Sequence, residues 1–224
     1  MDVRTTETTI PTQDVRLVAD IVLPPDATGT VLFAHGSGSS RRSPRNRAVA
    51  DVLNEHALAT VLVDLLTPQE EQLDIQTAQL RFDIGNLARR LVGIVDWLAT
   101  GEQIPRLPVG LFGASTGAAA ALVAAADRPD VVGAVVSRGG RPDLAGPALP
   151  RVRAATLLLV GGHDEQVIEL NEDARRQMTT ETDLRIVPGA THLFEEPGAL
   201  EQVADEAARW LRDHLSGTRA PHAG

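Results

Sequence analysis

The chain contains no cysteine. That excludes disulfides, thiolate metal sites and a cysteine nucleophile, and it suits a reducing compartment. It also lacks an excess of positive charge: 21 basic residues against 30 acidic ones give a net charge of −9. Non-specific nucleic-acid binding needs a basic face, so the balance argues against that partner. The acidic residues are interspersed rather than blocked, which reads as a solvated surface. Lysine is absent too; every basic side chain of this kind is arginine, which with the abundant alanine reads as composition bias. Long apolar runs are missing. The longest, Ala118 to Ala126, is too short to span a bilayer. The opening MDVRTTETTI has no apolar signal-peptide core. These shortages lead to the expectation of a soluble, cytoplasmic protein with no nucleic-acid or membrane partner, acting as a monomer or small homo-oligomer. Aromatics make up only 3% of the chain, which argues against a deep aromatic-lined pocket. The histidines are scattered without ligand spacing, so no metal and no cofactor are expected.

What is present is a regular alternation. The 224 residues, 43% hydrophobic, suit one globular domain over residues 1–216, with a frayed tail at 217–224. Strand-like segments run from Leu17 to Leu23, Thr30 to Ala34, Thr60 to Leu66, Val109 to Phe112, Val131 to Val136, Thr156 to Val160 and Leu184 to Val187. Several are short apolar runs ending in turn residues, the pattern of buried parallel strands. Helices are predicted over Ser43 to His56, with Ser43-Pro44 at its head, and over Thr77 to Ala99, Thr116 to Ala126 and Pro197 to Leu215. Strands alternating with helices imply a mostly parallel, twisted sheet of about 7–8 strands covered on both faces, with an antiparallel edge at the start. No stretch is long enough for a second domain.

The chemistry centres on Gly113-Ala114-Ser115-Thr116-Gly117. Gly-x-Ser-x-Gly between a strand and a helix is the nucleophile-elbow pattern. The tight turn forces the serine into a strained backbone, the glycines remove clashing side chains, and the helix N-terminus favours developing negative charge. The pattern alone is weak; the apolar segment before it and the alanine-rich segment after it give it context. A serine hydroxyl needs a base, and the base needs an orienting acid. With this elbow both follow the serine, each on a loop after a later strand. The strand ending at Val160 runs into Gly161-Gly162-His163-Asp164-Glu165, which makes Asp164 the expected acid, with Glu165 and Asp143 as competitors. The strand ending at Val187 runs into Pro188-Gly189-Ala190-Thr191-His192, which makes His192 the expected base. His56, His163, His214 and His222 are less well placed. Two backbone amides should form the oxyanion hole: that of Thr116, and that of Ser37 in the loop His35-Gly36-Ser37-Gly38. His35 is read as a loop support. The same loop, followed by Arg41, Arg42, Arg45 and Arg47, lacks the spacing and lysine of a nucleotide-binding loop.

With these residues in hand, the sequence resembles the dienelactone-hydrolase-like branch of the α/β-hydrolases. The matching segments are Leu32-Phe33-Ala34-His35-Gly36-Ser37-Gly38, the elbow with Ala118-Ala119, Ser137-Arg138-Gly139-Gly140-Arg141-Pro142-Asp143, and Pro188 to Phe194. The resemblance implies the α/β-hydrolase fold over nearly the whole domain. True dienelactone hydrolases use a cysteine nucleophile, which this chain lacks, so the family name is not a substrate assignment. Many superfamily members insert a cap domain after the strand corresponding to Val131 to Val136. Only Ser137 to Arg153 is available here, so no large cap and an open site are expected. Arg138 and Arg141 are candidates for steering an anionic substrate group, or equally for bracing the loop. The expected activity is hydrolysis of small carboxylic esters through an acyl-enzyme. Thioesterase, lactonase and acyltransferase chemistry would use the same residues, and a non-catalytic binding protein on this scaffold is the competing class.

Overall fold

A computed structural model describes residues 4–216; the expected tail at 217–224 lies outside them. Apolar strands in the middle of the chain form the centre of the molecule. β3 (Gly29–Ala34), β4 (Leu58–Val63) and β5 (Val109–Ala114) are buried at every position, as strands covered on both faces must be. They join β6 (Val132–Arg138), β7 (Ala155–Gly161) and β8 (Thr182–Val187) in parallel. β1 (Arg4–Pro11) and β2 (Arg16–Leu23) add the expected antiparallel edge. The eight strands lie in the order β1-β2-β4-β3-β5-β6-β7-β8. β1 is threonine-rich and lies at the sheet edge, so it carries no apolar run that would betray it.

The helices cover two faces. On one lie α3 (Ile84–Thr100) and α4 (Thr116–Asp127), packed on Leu32, Leu111 and Val135. On the other lie α1 (Pro44–Glu55) and α6 (Ala199–Leu215), packed on Phe33, Phe112 and Val136. Ser43 caps α1 by accepting the Asn46 amide, with Pro44 at its first position. α5 (Glu165–Gln177) follows β7. Its buried face holds only Val167, Asn171 and Ala174, too thin an apolar stripe to be read from the sequence.

The helix expected from Thr77 to Ala99 begins only at Ile84, and a helix not expected from the sequence precedes it. α2 (Pro68–Thr77) is opened by a Thr67–Glu70 capping box and stopped by Ala78 in the left-handed region (φ 54°). A single 3₁₀ turn, Leu80–Phe82, follows, and Asp83 caps α3. The apolar positions that suggested one long helix all belong to α3. The connection after β6 is a kinked 3₁₀ segment, Pro142–Arg151, with no inserted cap domain. No helix among the described residues is long and apolar enough to cross a membrane.

This topology places the site. From β3 the chain crosses to β4 on one side; from β5 it crosses to β6 on the other. β3 and β5 are nevertheless neighbours, with Ala34 opposite Gly113. The connections diverge there, leaving a crevice at the carboxyl ends of these strands, where open α/β sheets bind ligands.

Candidate active site

Ser115 sits between β5 and α4 with φ 50° and ψ −122°, a conformation a non-glycine residue adopts only when its surroundings enforce it. The enforcement is visible. Its amide donates to the Arg138 carbonyl at 3.2 Å, and its carbonyl accepts from Ala118 and Arg141, each at 3.1 Å. Both flanking glycines are required by close approach. A Cβ on Gly117 would lie 2.2 Å from the Ala34 carbonyl oxygen, and one on Gly113 would lie 2.4 Å from Ala118 Cα. The turn therefore brings α4 hard against β3 and β5. The Ser115 hydroxyl makes no hydrogen bond among the described residues.

Asp164 and His192 come from different loops and meet. His192 Nδ1 lies 2.6 Å from Asp164 Oδ2. The loop after β7 is bonded to the loop after β8 through Gly162 N–H to Val187 O and His163 N–H to Ala190 O, both at 2.9 Å. Glu196 clamps the second loop from outside, accepting from the Thr191 amide at 3.1 Å and its hydroxyl at 2.7 Å. Those hydrogen bonds hold the Glu196 carboxyl below its ordinary pKa. Phe194, buried two residues past His192, takes φ 56°, a strained state for an aromatic residue. The other end of the site is Gly139, where a Cβ would stand 3.5 Å from His192 Cε1. Serine, histidine and aspartate thus line one sheet edge. The His192 side chain is 39% exposed, so the site is open.

The competing acids are placed elsewhere. Asp143 takes a bidentate pair from Arg141, Nε at 2.8 Å and Nη2 at 2.7 Å. That hydrogen bonding raises the Arg141 pKa and leaves its charge already matched. Glu165 is the first residue of α5. Arg138 differs from Arg141: it is buried and carries no ion pair among the described residues, with its guanidinium 5.9 Å over the Phe112 ring.

The expected oxyanion amides are adjacent, but one is occupied. Thr116 heads α4, so its amide has no intrahelical partner. The Ser37 amide donates to the Thr116 hydroxyl at 3.1 Å, and the Ser37 hydroxyl lies 3.0 Å from the same oxygen. Nothing in the sequence signals this Thr116 contact, nor the Glu196 clamp. His35 supports the loop. The Leu65 amide donates to its Nε2 at 3.0 Å, so Nδ1 carries the proton and donates to the Gly36 carbonyl at 3.0 Å. Burial of the ring lowers its pKa, keeping it neutral.

A cavity of about 220 Å³ opens beside Ser37 and Thr116. Leu65, Leu66, Ile75 and Leu87 give it an apolar wall. It flanks the Ser37–Thr116 side of the elbow and is lined by neither Ser115 nor His192. Part of its wall is α2 and the 3₁₀ turn, through Asp74, Ile75 and Arg81, with Ile75 largely exposed; after β6, as expected, there is no large cap. The wall is pinned by Arg90, which is 1% exposed. It donates to the Leu65 carbonyl at 2.6 Å and to both Glu70 oxygens, at 2.8 and 2.6 Å.

An eight-stranded, mostly parallel sheet with a strained serine at the β5–α4 turn defines the α/β-hydrolase fold class. The Dienelactone hydrolase family profile matches residues 48–216. The chain belongs to the dienelactone hydrolase family. It is 57% identical to a dienelactone hydrolase from Anabaena variabilis, with a TM-score of 0.94 over 96% of this chain and 100% of that one. Est1E from Butyrivibrio proteoclasticus shares the fold at 16% identity and TM-score 0.76, covering 94% of this chain and 99% of that one. A Mycobacterium tuberculosis protein provisionally named a phosphoribosyl transferase is 54% identical over 203 residues, 91% of this chain. The chain spans only 45% of that relative's length.

Proposed function

We propose that this hydrolase cleaves small carboxylic esters with Ser115 as nucleophile, His192 as base and Asp164 as its orienting acid. The observation that carries the reading is the strained Ser115 elbow on the same sheet edge as the 2.6 Å His192–Asp164 contact. Ser115 Oγ attacks the ester carbonyl while His192 Nε2 takes its proton. Asp164, on Nδ1, holds the ring orientation and stabilises the imidazolium. The tetrahedral oxyanion is met by the Thr116 and Ser37 amides; for the latter, the Thr116 hydroxyl must rotate away. His192 returns the proton to the leaving alkoxide. A water then attacks the acyl-enzyme with His192 again as base, releasing the carboxylic acid and restoring Ser115. The open site and modest cavity favour small acyl groups. The missing cysteine and the acidic surface support action on small molecules in the cytoplasm. The phosphoribosyl transferase name belongs to a relative of which this chain spans less than half, and the Ser115 elbow supports hydrolysis in the part spanned.

A fluorophosphonate probe tests the proposal. Wild type should label and Ser115→Ala should not. Wild type that stays unlabelled where a known serine esterase labels would overturn it, as would equal labelling of Ser115→Ala. A series of p-nitrophenyl esters of rising chain length should then show turnover falling with acyl length.

A further inference from the structure

Arg138 ends β6 opposite Ala114, and its carbonyl holds the Ser115 amide. It is only 8% exposed, yet its Nη1 is buried with no hydrogen-bond partner. A buried guanidinium normally faces a carboxylate, because an uncompensated buried charge is strongly destabilising. This one lies over the Phe112 ring instead. Arg45, in the first turn of α1, lies close enough that its charge adds to burial in lowering the Arg138 pKa, to about 10. Arg138 is therefore still cationic at neutral pH. Arg45 is orphaned in part as well: its Nη1 reaches Glu195 at 3.1 Å, but its buried Nε has no partner. The helix adds to the imbalance. Its positive end carries no acidic residue in the first turn, where carboxylates would be stabilising. The nearby Arg41 and Arg47 pair with Glu7, Asp20 and Asp64, and Arg45 pairs with Glu195, whereas Arg138 has no ion pair among the described residues.

We propose that Arg138 and Arg45, at the head of α1, form an oxyanion site beside Ser115 that takes a phosphoryl group. The two guanidiniums come from different elements, Arg138 from the end of β6 and Arg45 from the first turn of α1, whose N-terminus adds partial positive charge. A planar carboxylate is matched by one guanidinium fork, whereas a phosphoryl group presents oxygens to all three. Entry is from the Arg45 side, where that side chain is 37% exposed. The site stands whether or not Ser115 is an esterase nucleophile, because its test reads binding.

The test is thermal unfolding of the full chain against inorganic phosphate, at constant ionic strength with chloride as control. Wild type should gain Tm saturably with phosphate. Arg138→Met should lose the response, and Arg45→Met should need at least tenfold more phosphate. In phosphate-free buffer Arg138→Met should melt no lower than wild type, since it removes a buried unpaired charge. Should Arg138→Met fail to fold, Arg45→Met, at a partly exposed position, carries the test. Phenyl phosphate binding more tightly than phosphate would place the phosphoryl group on an organic ligand; equal binding would assign free phosphate. A wild type that responds to phosphate no more than to chloride overturns the proposal. So does a response kept by Arg45→Met and Arg138→Met, or acetate binding as tightly as phosphate.

Discussion

His35 links the Gly36–Gly38 loop to the end of β4, and its removal has a magnitude that can be worked out. Its two ring nitrogens satisfy the Leu65 amide and the Gly36 carbonyl, each at 3.0 Å. His35→Ala leaves both groups without partners. An unsatisfied buried backbone group costs about 1–3 kcal/mol, so the pair should destabilise by roughly 2–5 kcal/mol. With an m-value of about 2–3 kcal/mol/M, the urea midpoint should fall by roughly 1 M or more. Two variants divide the effect. His35→Asn places an amide N–H near Nδ1 and should restore the Gly36 bond; His35→Gln places an acceptor near Nε2 and should restore the Leu65 bond. Each should recover about half. Activity should follow, because Gly36 precedes Ser37. Losing one oxyanion donor lowers kcat by up to about 10²–10³, so a loop that misplaces Ser37 should lower it by about 10–100-fold. The pH dependence has a definite sign. The folded pKa of His35 lies below its ordinary value of 6.5. Stability is therefore complete above 6.5 and falls as pH drops from there through the folded pKa, since the unfolded chain takes up a proton that the folded ring resists. His35→Asn should flatten that limb. If His35→Ala unfolds within about 0.5 kcal/mol of wild type and keeps its kcat, the loop-support reasoning is refuted.

Asp164→Asn should lower turnover by about 10³–10⁴ on p-nitrophenyl acetate, while Asp143→Asn should stay within about threefold; the reverse order would move the acid to Asp143. Gly117→Ala should lower stability by about 3 kcal/mol in urea unfolding, because its Cβ would meet the Ala34 carbonyl at 2.2 Å. Arg90→Met should destabilise by about 3–5 kcal/mol, since it strands Glu70 and the Leu65 carbonyl. Arg90→Met combined with Glu70→Gln should be milder, and equal loss in both would remove the pair from the argument. Hydrogen bonding from Arg90 holds the Glu70 pKa at about 2 against an ordinary 4.5. Its contribution is thus complete above 4.5 and lost as pH falls from 4.5 through 2, a limb that Glu70→Gln should remove from the acid-unfolding curve.

The elements legible in the sequence are those whose burial is one-sided and strong. β3, β4 and β5 announce themselves as apolar runs because both faces are covered, and α3 and α6 through stripes that must reach the core. α5 does not, because most of its surface meets water and three buried positions suffice to seat it. α2 is illegible for the same reason, since Asp74 is its one buried position, and the helix expected from Thr77 begins only at Ile84 because a left-handed alanine at 78 and the Asp83 cap break the chain where no glycine or proline marks it. Backbone geometry was set there by local hydrogen bonds, which periodicity does not record.

At the site, the same division separates side chains from backbone donors. Ser115, Asp164 and His192 lie at strand ends, and the order of strands in a parallel sheet carries them to one edge, where His192 and Asp164 meet. The Ser37 amide is different. Which groups an amide meets depends on how far the Gly36–Gly38 turn rotates, and the Thr116 hydroxyl captures it at 3.1 Å. Thr116 is thereby given two roles at the elbow: its amide heads α4, and its hydroxyl holds the opposing loop in register. Thr116→Val would keep the shape of the side chain and remove that hydroxyl. If the hydroxyl positions the loop, kcat should fall by about tenfold or more with KM little changed, up to the roughly 10²–10³ of a lost oxyanion donor. A kcat that rises would show instead that the hydroxyl competes with the substrate oxygen for the Ser37 amide.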